Sequence, residues 1–395
     1  MSEGAVYVVI LASLAVGFFL GRHKKTELIA RKDDRNKGYF EGLNYLLNEQ
    51  PDKAIDTFIQ SLEVSSDTLE THLALGKLLR KRGEVDRAVR IHQNLLARPE
   101  LNRQQMQQAQ YELAIDFVKS GLLDRAEELL QRLVQSEGVY KQQGLVQLLE
   151  IYQDEKEWLL GLDVLSQLSS SRLNRERAKW LSISAHFLCE LAENCLDAED
   201  FKGARNHLDK ALSIEKNSVR SSMLLGKIDI FAGNMKKGLK RLQAVIFDQP
   251  DYIVEVLPSI VGAYQQMGEE LKCLNYLLSI ERMVEHPSVL LAIATFIEEQ
   301  KGEVEAAEFV AKAVVEYPSK AGLKKLVDYY LRFTHGTTHD YLSSLQQVIG
   351  KTLNEQMLYR CHGCGFQANT LYWLCPSCKT WDGARLQGVS GSDAG

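Results

Sequence analysis

The chain repeats itself at intervals close to 34 residues. A small residue recurs along most of the sequence, at Ala54, Ala88, Ala126, Gly161, Ala204, Gly238, Cys273 and Ala307. The successive spacings are 34, 38, 35, 43, 34, 35 and 34. A period of this length is typical of units made of two helices, each of which buries its apolar face only against its neighbours. The small residue lets the two helices of one unit approach closely.

Two further positions keep the same register. Glycine stands five residues before the small residue in five units, at Gly83, Gly121, Gly233, Gly268 and Gly302. Glycine adopts the left-handed backbone conformation that ends a helix, so these positions predict the turn between two helices. A large apolar residue stands four positions after the small one in most units, at Phe58, Leu130, Leu165, Leu208, Leu242 and Leu277. The pattern predicts an all-α solenoid, and units four and five match it least well.

The segment LALGKLLRKRGEVDRAVRIHQNLL makes the array resemble the tetratricopeptide repeat family. The resemblance implies an extended groove, lined by the first helix of each unit, that binds peptides or partner proteins. By the family's geometry Lys77, Arg80 and Lys81 would face this groove and would suit an acidic partner segment. An ordinary solvated helix face remains the alternative for these three residues.

An uncharged stretch from Gly4 to Gly21 predicts a membrane anchor. Its 18 residues would form a helix about 27 Å long, close to the roughly 30 Å hydrocarbon core of a bilayer. Basic residues at 22–25 follow the stretch, and no Ala-x-Ala cleavage site closes it. This arrangement favours an uncleaved single-pass helix with the bulk of the chain in the cytoplasm, over a signal peptide or a buried soluble helix. Ser13, Gly17 and Gly21 form a small-residue stripe that predicts contact with another membrane helix.

Two C-x-x-C pairs near the C-terminus predict a metal site. Cys361 with Cys364, and Cys375 with Cys378, are separated by a ten-residue spacer. Four thiolates so spaced suit one tetrahedral ion, iron or zinc. A disulfide is disfavoured in a reducing cytoplasm, and thiol exchange lacks its usual strand–helix–strand context. The segment resembles a rubredoxin-type or zinc-ribbon knuckle pair, although Lys379 stands where glycine is expected after the second pair.

The metal module is too small to hide its own aromatic residues. It carries five of them, at Tyr359, Phe366, Tyr372, Trp373 and Trp381. A segment of this size builds no sufficient core alone, so metal binding must supply much of its folding energy. We therefore expect the aromatic residues to dock the module against the last repeats. The metal is expected to be structural, with a redox-active iron–thiolate centre as the alternative.

Catalytic signatures are missing from the sequence. Residues 350–352 read Gly-Lys-Thr, the end of a phosphate-binding loop, but Leu345 stands where that loop requires glycine. Neither H-E-x-x-H nor G-x-S-x-G occurs. A net charge of −5 gives no support to nucleic-acid binding. The sequence predicts a protein-binding function and no enzyme activity.

The segments MSEGAVYVVILASLAVGFFLGR, GYFEGLNYLLNEQPDKAIDTFI and YRCHGCGFQANTLYWLCPSCKTW together resemble the lipopolysaccharide assembly protein B family of Gram-negative bacteria. The resemblance implies an adaptor on the cytoplasmic face of the inner membrane. Such an adaptor helps a membrane-anchored AAA+ protease degrade the deacetylase that commits carbon to lipid A, and a membrane lipopolysaccharide sensor restrains it. A scaffold that gathers lipopolysaccharide-synthesis enzymes without proteolysis is the alternative, and a homodimer stays open.

The predicted organisation has five parts. They are an anchor at 1–21, a basic linker at 22–35, a tetratricopeptide array at 36–354, a four-cysteine rubredoxin-type module at 355–386 and a tail at 387–395. The length of the array corresponds to about eight to nine repeats.

Overall fold

The computed structural model describes residues 69–99, 101–170, 175–284, 286–354 and 357–387, together with a few positions between 41 and 57. The predicted anchor, its stripe of Ser13, Gly17 and Gly21, and the repeat positions Ala54 and Phe58 lie outside the described residues. No helix in the described ranges is both long and apolar enough to cross a membrane.

The chain divides into two compact units, residues 1–168 and 169–395. The described helices of the first unit are α1 (Leu69–Lys81), α2 (Val85–Leu96), α3 (Arg103–Lys119), α4 (Leu123–Gln135), α5 (Lys141–Asp154) and α6 (Trp158–Leu168). Successive helices pack against each other as hairpins.

The second unit continues the same pattern and ends in a small sheet. Its helices are α7 (Arg177–Asp197), α8 (Phe201–Ile214), α9 (Val219–Phe231), α10 (Met235–Asp248), α11 (Ile253–Gln266), α12 (Glu270–Val284), α13 (Pro287–Lys301), α14 (Glu303–Glu316), α15 (Lys320–Phe333) and α16 (Thr337–Asn354), with a 3-10 turn at Pro250–Tyr252. The strands are β1 (Tyr359–Cys361), β2 (Gln367–Ala368) and β3 (Ala384–Leu386). They form an antiparallel sheet in the order β2-β1-β3, in which Tyr359 pairs with both Ala368 and Leu386.

Close helix contact explains the recurring small residues. Ala88, Ala126, Ala204 and Cys273 are completely buried. A Cβ on Gly238 of α10 would lie 2.7 Å from the backbone oxygen of Gly226 on α9. Any larger side chain there would force the two helices apart, so the predicted role of this position is confirmed.

The turn positions also follow the predicted register. All five turn glycines have positive φ, from +64° at Gly268 to +103° at Gly302. Units four and five place Lys156 and Glu199 at the equivalent position, with φ of +60° and +59°. These two units therefore keep the same turn even though they lack its glycine, which is why their sequences match the repeat least well.

The buried apolar position of each hairpin is filled by leucine in most units. Leu130, Leu165, Leu208, Leu242 and Leu277 are all completely buried. The repeat formed by α1 and α2 has His92 at this position instead, and His92 is equally buried. Its Nδ1 lies 2.5 Å from Oδ2 of Asp116 on α3, so a polar pair replaces an apolar contact there.

Candidate metal centre

The four cysteines of the C-terminal module come together as predicted. Their sulfur atoms all lie within 4.8 Å of one another. The Sγ atoms of Cys361 and Cys378 are 3.7 Å apart, and so are those of Cys364 and Cys375. Bonds of about 2.3 Å from sulfur to a tetrahedral ion place neighbouring sulfurs about 3.8 Å apart. The donor set therefore fits one tetrahedral zinc or iron ion.

Two similar knuckles present these sulfurs. Gly365 follows the first pair with φ of +78°, and Lys379 follows the second with φ of +57°. The Gly365 N–H donates to the Cys361 carbonyl at 2.8 Å, and the Lys379 N–H donates to the Cys375 carbonyl at 2.9 Å. Both knuckles therefore use the same turn, with glycine at the left-handed position in the first knuckle and lysine there in the second. Lys379 adopts the left-handed conformation that glycine would adopt at lower cost.

The two sides of the sulfur cluster differ in exposure. Cys361 and Cys375 are buried, whereas Cys364 and Cys378 are exposed. Cys378 Sγ lies 3.2 Å from Thr380 Oγ1, and hydrogen bonding from Thr380 lowers the pKa of the Cys378 thiol to about 6. A lowered pKa favours the thiolate, which is the form that binds metal. A Cβ on Gly383 would lie 3.1 Å from Cys361 Sγ, so glycine also lets the backbone pass close to the cluster.

Aromatic stacking holds the module against the repeat helices. The Trp381 ring stacks on His186 of α7, with centroids 5.0 Å apart and an interplanar angle of 19°. The Trp373 ring stacks on Tyr252 at 5.5 Å and 13°. The guanidinium of Arg220 on α9 lies over the Trp373 ring, 5.5 Å from its centroid. These contacts pack Trp373 and Trp381 against the repeat helices, whereas Phe366 is 38% exposed and contacts Tyr372 within the module.

Hydrogen bonds and ion pairs also stabilise the same interface. The Tyr252 hydroxyl donates to Asp382 Oδ1 at 2.5 Å, and the Tyr359 hydroxyl donates to Glu255 Oε1 of α11 at 3.0 Å. Burial, together with Glu255, raises the pKa of Tyr359 above its usual value. Arg220 is itself buried and pairs with two glutamates of α7, Glu190 and Glu193, at 2.8 Å each.

The docking was predicted, but its location was predicted wrongly. The contacts lie on α7, α9, the 3-10 turn and α11, which belong to units five to seven in the middle of the array. The sequence predicts contact with the last repeats instead. The difference arises because the rings and charges that match Trp373 and Trp381 are on these first helices, which are distant in sequence from the module.

Burial sets the charge state of His186 within this interface. Its pKa is lowered to about 4, first by desolvation and second by the neighbouring Arg220. The imidazole that stacks on Trp381 is therefore neutral at physiological pH. Sequence reasoning missed His186, Arg220 and Tyr252, because none of them stands in a motif.

Two of the three basic residues predicted for the groove, Lys77 and Arg80, form ion pairs with carboxylates of α3. Arg80 Nη1 lies 2.6 Å from Asp116 Oδ1, and Arg80 Nη2 lies 2.7 Å from Glu112 Oε2. The Lys77 Nζ lies 2.9 Å from Glu112 Oε1, although 43% of the Lys77 side chain is exposed. Lys81 is exposed at the end of α1. Carboxylates of α3 thus offset part of the positive charge, and the contact of these residues with a partner stays a prediction.

Two family models match parts of the chain. One, described as the rubredoxin metal binding domain, matches residues 359–383, which include all four clustered cysteines. The other, described as the tetratricopeptide repeat, matches residues 71–104, which span most of α1 and all of α2. The predicted all-helical repeat solenoid with a C-terminal metal-binding module is therefore confirmed.

Relatives called lipopolysaccharide assembly protein B match along nearly the whole chain. The protein from Escherichia coli strain K12 is 33% identical over 394 residues, which cover 98% of this chain and 99% of the relative. The protein from Haemophilus influenzae is 31% identical over 389 residues, which cover 95% of this chain and 96% of the relative.

Solved structures with similar helical arrays include a tetratricopeptide repeat protein from Parabacteroides merdae. It is 15% identical, with a TM-score of 0.33, and the match covers 66% of this chain and 98% of that one.

Proposed function

Because the chain belongs to the lipopolysaccharide assembly protein B family, we propose that it is a non-enzymatic adaptor that regulates lipopolysaccharide synthesis. In this proposal the adaptor brings the deacetylase that commits carbon to lipid A to a membrane-anchored AAA+ protease. The observation that carries the proposal is the likeness to its relatives over 98% of the chain. A membrane lipopolysaccharide sensor would restrain the adaptor.

The N-terminal stretch supports a place at the inner membrane. The uncharged residues from Gly4 to Gly21, followed by basic residues at 22–25, have the length and flanking charge of a single-pass anchor with the chain on the cytoplasmic side. Ser13, Gly17 and Gly21 would face a membrane helix of the protease or of the sensor. An anchor places the repeat array beside a membrane protease, which is where an adaptor must act.

The C-terminal module fits a structural role in the adaptor. We propose that Cys361, Cys364, Cys375 and Cys378 hold one zinc or iron ion, whose bonds crosslink the two knuckles when it is bound. Trp373 and Trp381 would then hold the crosslinked module on the repeat helices. This support would keep the first helices of units five to seven in one arrangement.

The client would bind along the first helices that the structure describes within residues 1–168, which are α1, α3 and α5. Lys77 and Lys81 are the basic side chains of α1 proposed to contact an acidic segment of the client. Arg80 is held by Glu112 and Asp116, so we assign it to positioning α1 against α3 rather than to direct contact. Tyr111 and Tyr140, whose ring centroids are 5.7 Å apart, add aromatic surface in the same unit.

The turnover of the deacetylase tests the adaptor proposal. Translation is stopped in cells with and without this protein, and the half-life of the lipid A-committing deacetylase is followed by immunoblot. We expect a clearly longer half-life without the protein and a normal one when the wild-type chain is restored. An unchanged half-life would overturn the adaptor proposal and favour a scaffold for lipopolysaccharide-synthesis enzymes.

A charge reversal tests the client surface separately. The variant Lys77→Glu with Lys81→Glu should lengthen the deacetylase half-life while the repeat array stays folded, as judged by circular dichroism. The matched control reverses Lys210, an exposed helical lysine of α8. Equal turnover with both variants would remove Lys77 and Lys81 from the client site without affecting the adaptor proposal.

A further inference from the structure

The last helix of the array carries a line of exposed apolar side chains. Tyr341, Leu345 and Val348 of α16 are 77%, 44% and 59% exposed. They stand at positions i, i+4 and i+7, so they share one face of the helix. We call this face the α16 stripe. Helices of a solenoid normally bury such faces against the next repeat, and a terminal repeat usually presents a polar outer face.

The neighbouring face of α16 already has its partner within the chain. Ile349 is buried, and the Gln346 side chain donates to Asp328 Oδ1 of α15 at 2.6 Å. One face of α16 therefore packs against α15, and a second, apolar face is exposed. A stripe of this kind, with polar residues beside it, is typical of a helix that pairs with another helix.

Charges at the two ends of the stripe indicate what that other helix is. Asp340 stands just before the stripe with 81% of its side chain exposed, and Lys351 stands exposed just after it. Both lie on the same flank of the helix, because their spacing of eleven residues corresponds to about three turns. One helix thus presents a negative end and a positive end on either side of an apolar centre.

A second copy of α16 in antiparallel orientation complements every part of this pattern. Tyr341 of each copy meets Val348 of the other, and Leu345 lies near the two-fold axis. Asp340 of each copy comes beside Lys351 of the other, so both ends gain an opposite charge. In a parallel pair, Asp340 and Lys351 of one copy would lie on the opposite side of the contact from those of the other, so neither charge would gain its partner, and the two helix dipoles would align unfavourably. An isologous contact of this kind closes as a dimer.

We propose that the α16 stripe is a self-association surface, through which two copies of this chain pair in antiparallel fashion. Three apolar side chains are far fewer than the roughly 20–30 residues that each partner contributes to a standard interface. The pairing is therefore weak and reversible, and it strengthens when the chain is concentrated. It is independent of the client surface on α1 and of the metal module.

Zero-length crosslinking tests the contact in the unmodified protein. The full chain, purified in mild detergent as an equal mixture of ¹⁴N-labelled and ¹⁵N-labelled copies, is treated with a carbodiimide and analysed by mass spectrometry. Asp340 and Lys351 of one helix are about 16 Å apart along its axis, so a direct amide between them must join two copies. We expect mixed-isotope peptides linked through these two residues. Their absence across a concentration series would overturn the proposal.

Charge reversal then distinguishes this pairing from other modes of association. Asp340→Lys and Lys351→Asp should each weaken the dimer about tenfold in sedimentation velocity, because each places like charges together. The double variant should restore both the dimer and the crosslink. The control Lys324→Asp reverses an exposed lysine of α15 and should have no effect. If neither single variant weakens the dimer, another surface pairs the copies or the stripe binds a different protein. Either outcome would refute the proposal.

Discussion

The hydroxyl of Tyr252 donates a 2.5 Å hydrogen bond to Asp382, a residue 130 positions further along the chain. The same tyrosine ring stacks on Trp373 at a centroid distance of 5.5 Å. Burial and the nearby Asp382 carboxylate raise the pKa of Tyr252, so the hydroxyl remains a donor at any physiological pH. One side chain thus joins the repeat array to the metal module through both an apolar and a polar contact.

Removing only the polar half of this contact should weaken the docking measurably. Tyr252→Phe keeps the ring that stacks on Trp373 but removes the donor to Asp382. We expect a loss of about 1.5 kcal/mol in the free energy of unfolding, typical of a hydrogen bond to a charged group. Urea denaturation measures the loss. Tyr330→Phe, at an exposed position of α15, is the matched control and should unfold like the wild type. An equal loss in both variants would argue against the contact.

The stability of the docked module should fall in mild acid. The folded-state pKa of His186 is about 4, whereas an unfolded histidine titrates near its usual value of about 6.5. Between these values the unfolded chain binds the extra proton, so stability rises with pH across this window. As pH falls from about 6.5 toward 4, the folded protein should lose up to about 3 kcal/mol from His186.

The variant His186→Phe isolates this effect, because phenylalanine keeps an aromatic ring beside Trp381 and does not titrate. Urea denaturation between about pH 7 and pH 5 should have a shallower pH dependence in the variant. His286, whose burial also lowers its pKa to about 4, leaves a residual slope. A slope equal to that of the wild type would show that His186 is not protonated on unfolding in this range.

Glycine should stabilise the two turns that lack it. Lys156 and Glu199 have φ of +60° and +59°, a conformation that costs a residue with a Cβ roughly 1 kcal/mol. Lys156→Gly and Glu199→Gly should each raise the free energy of unfolding by up to about 1 kcal/mol. Lys210→Gly, at an exposed position inside α8, should lower it by about the same amount. Thermal denaturation of the three variants checks the sign of each change.

These turns also indicate how far the sequence predicts the fold. The spacing of small residues identified the described hairpins from α1/α2 to α13/α14 but not α15/α16, which follows the last member of the series, Ala307. The signal arises because close helix contact admits no larger side chain, as at Gly238. Units four and five were the weakest matches, since Lys156 and Glu199 hide the turn signal. The four sulfurs were predictable because local knuckles place them. The docking site on α7, α9 and α11 was not, because it depends on which distant surfaces fit Trp373 and Trp381.

Removing the proposed metal should release the module from the repeat helices. Cys364→Ser, or treatment with a strong chelator, removes a ligand or the ion that would supply on the order of 10 kcal/mol in small zinc peptides. Trp373 and Trp381 should then become exposed, with a red shift in tryptophan emission and faster proteolysis after α16. Cys195→Ser, outside the cluster, is the control. An unchanged emission spectrum after complete metal loss would contradict a structural role for the ion.

The buried network on α3 should be the most sensitive site in residues 1–168. Asp116 is completely buried and accepts from Arg80 at 2.6 Å, and its other oxygen lies 2.5 Å from His92. Asp116→Ala leaves Arg80 and His92 without this partner, and breaking a buried charged pair typically costs 3–5 kcal/mol, about half of a domain's total stability. We expect the variant to unfold at much lower urea concentration. Asp86→Ala, at an exposed position in the first turn of α2, should cost under about 1 kcal/mol.

The double variant His92→Leu with Asp116→Asn distinguishes a stabilising network from a tolerated one. Leucine is the residue that five other units place at this buried position, as at Leu130 and Leu242. Asparagine still accepts from Arg80 but carries no charge. If the charges of the network add no stability beyond that of packed side chains, the double variant should match the wild type in urea denaturation. A remaining loss of about 2 kcal/mol would instead assign the charge of Asp116 to holding Arg80 in place. The half-life assay of the deacetylase then reveals whether that placement matters for the client.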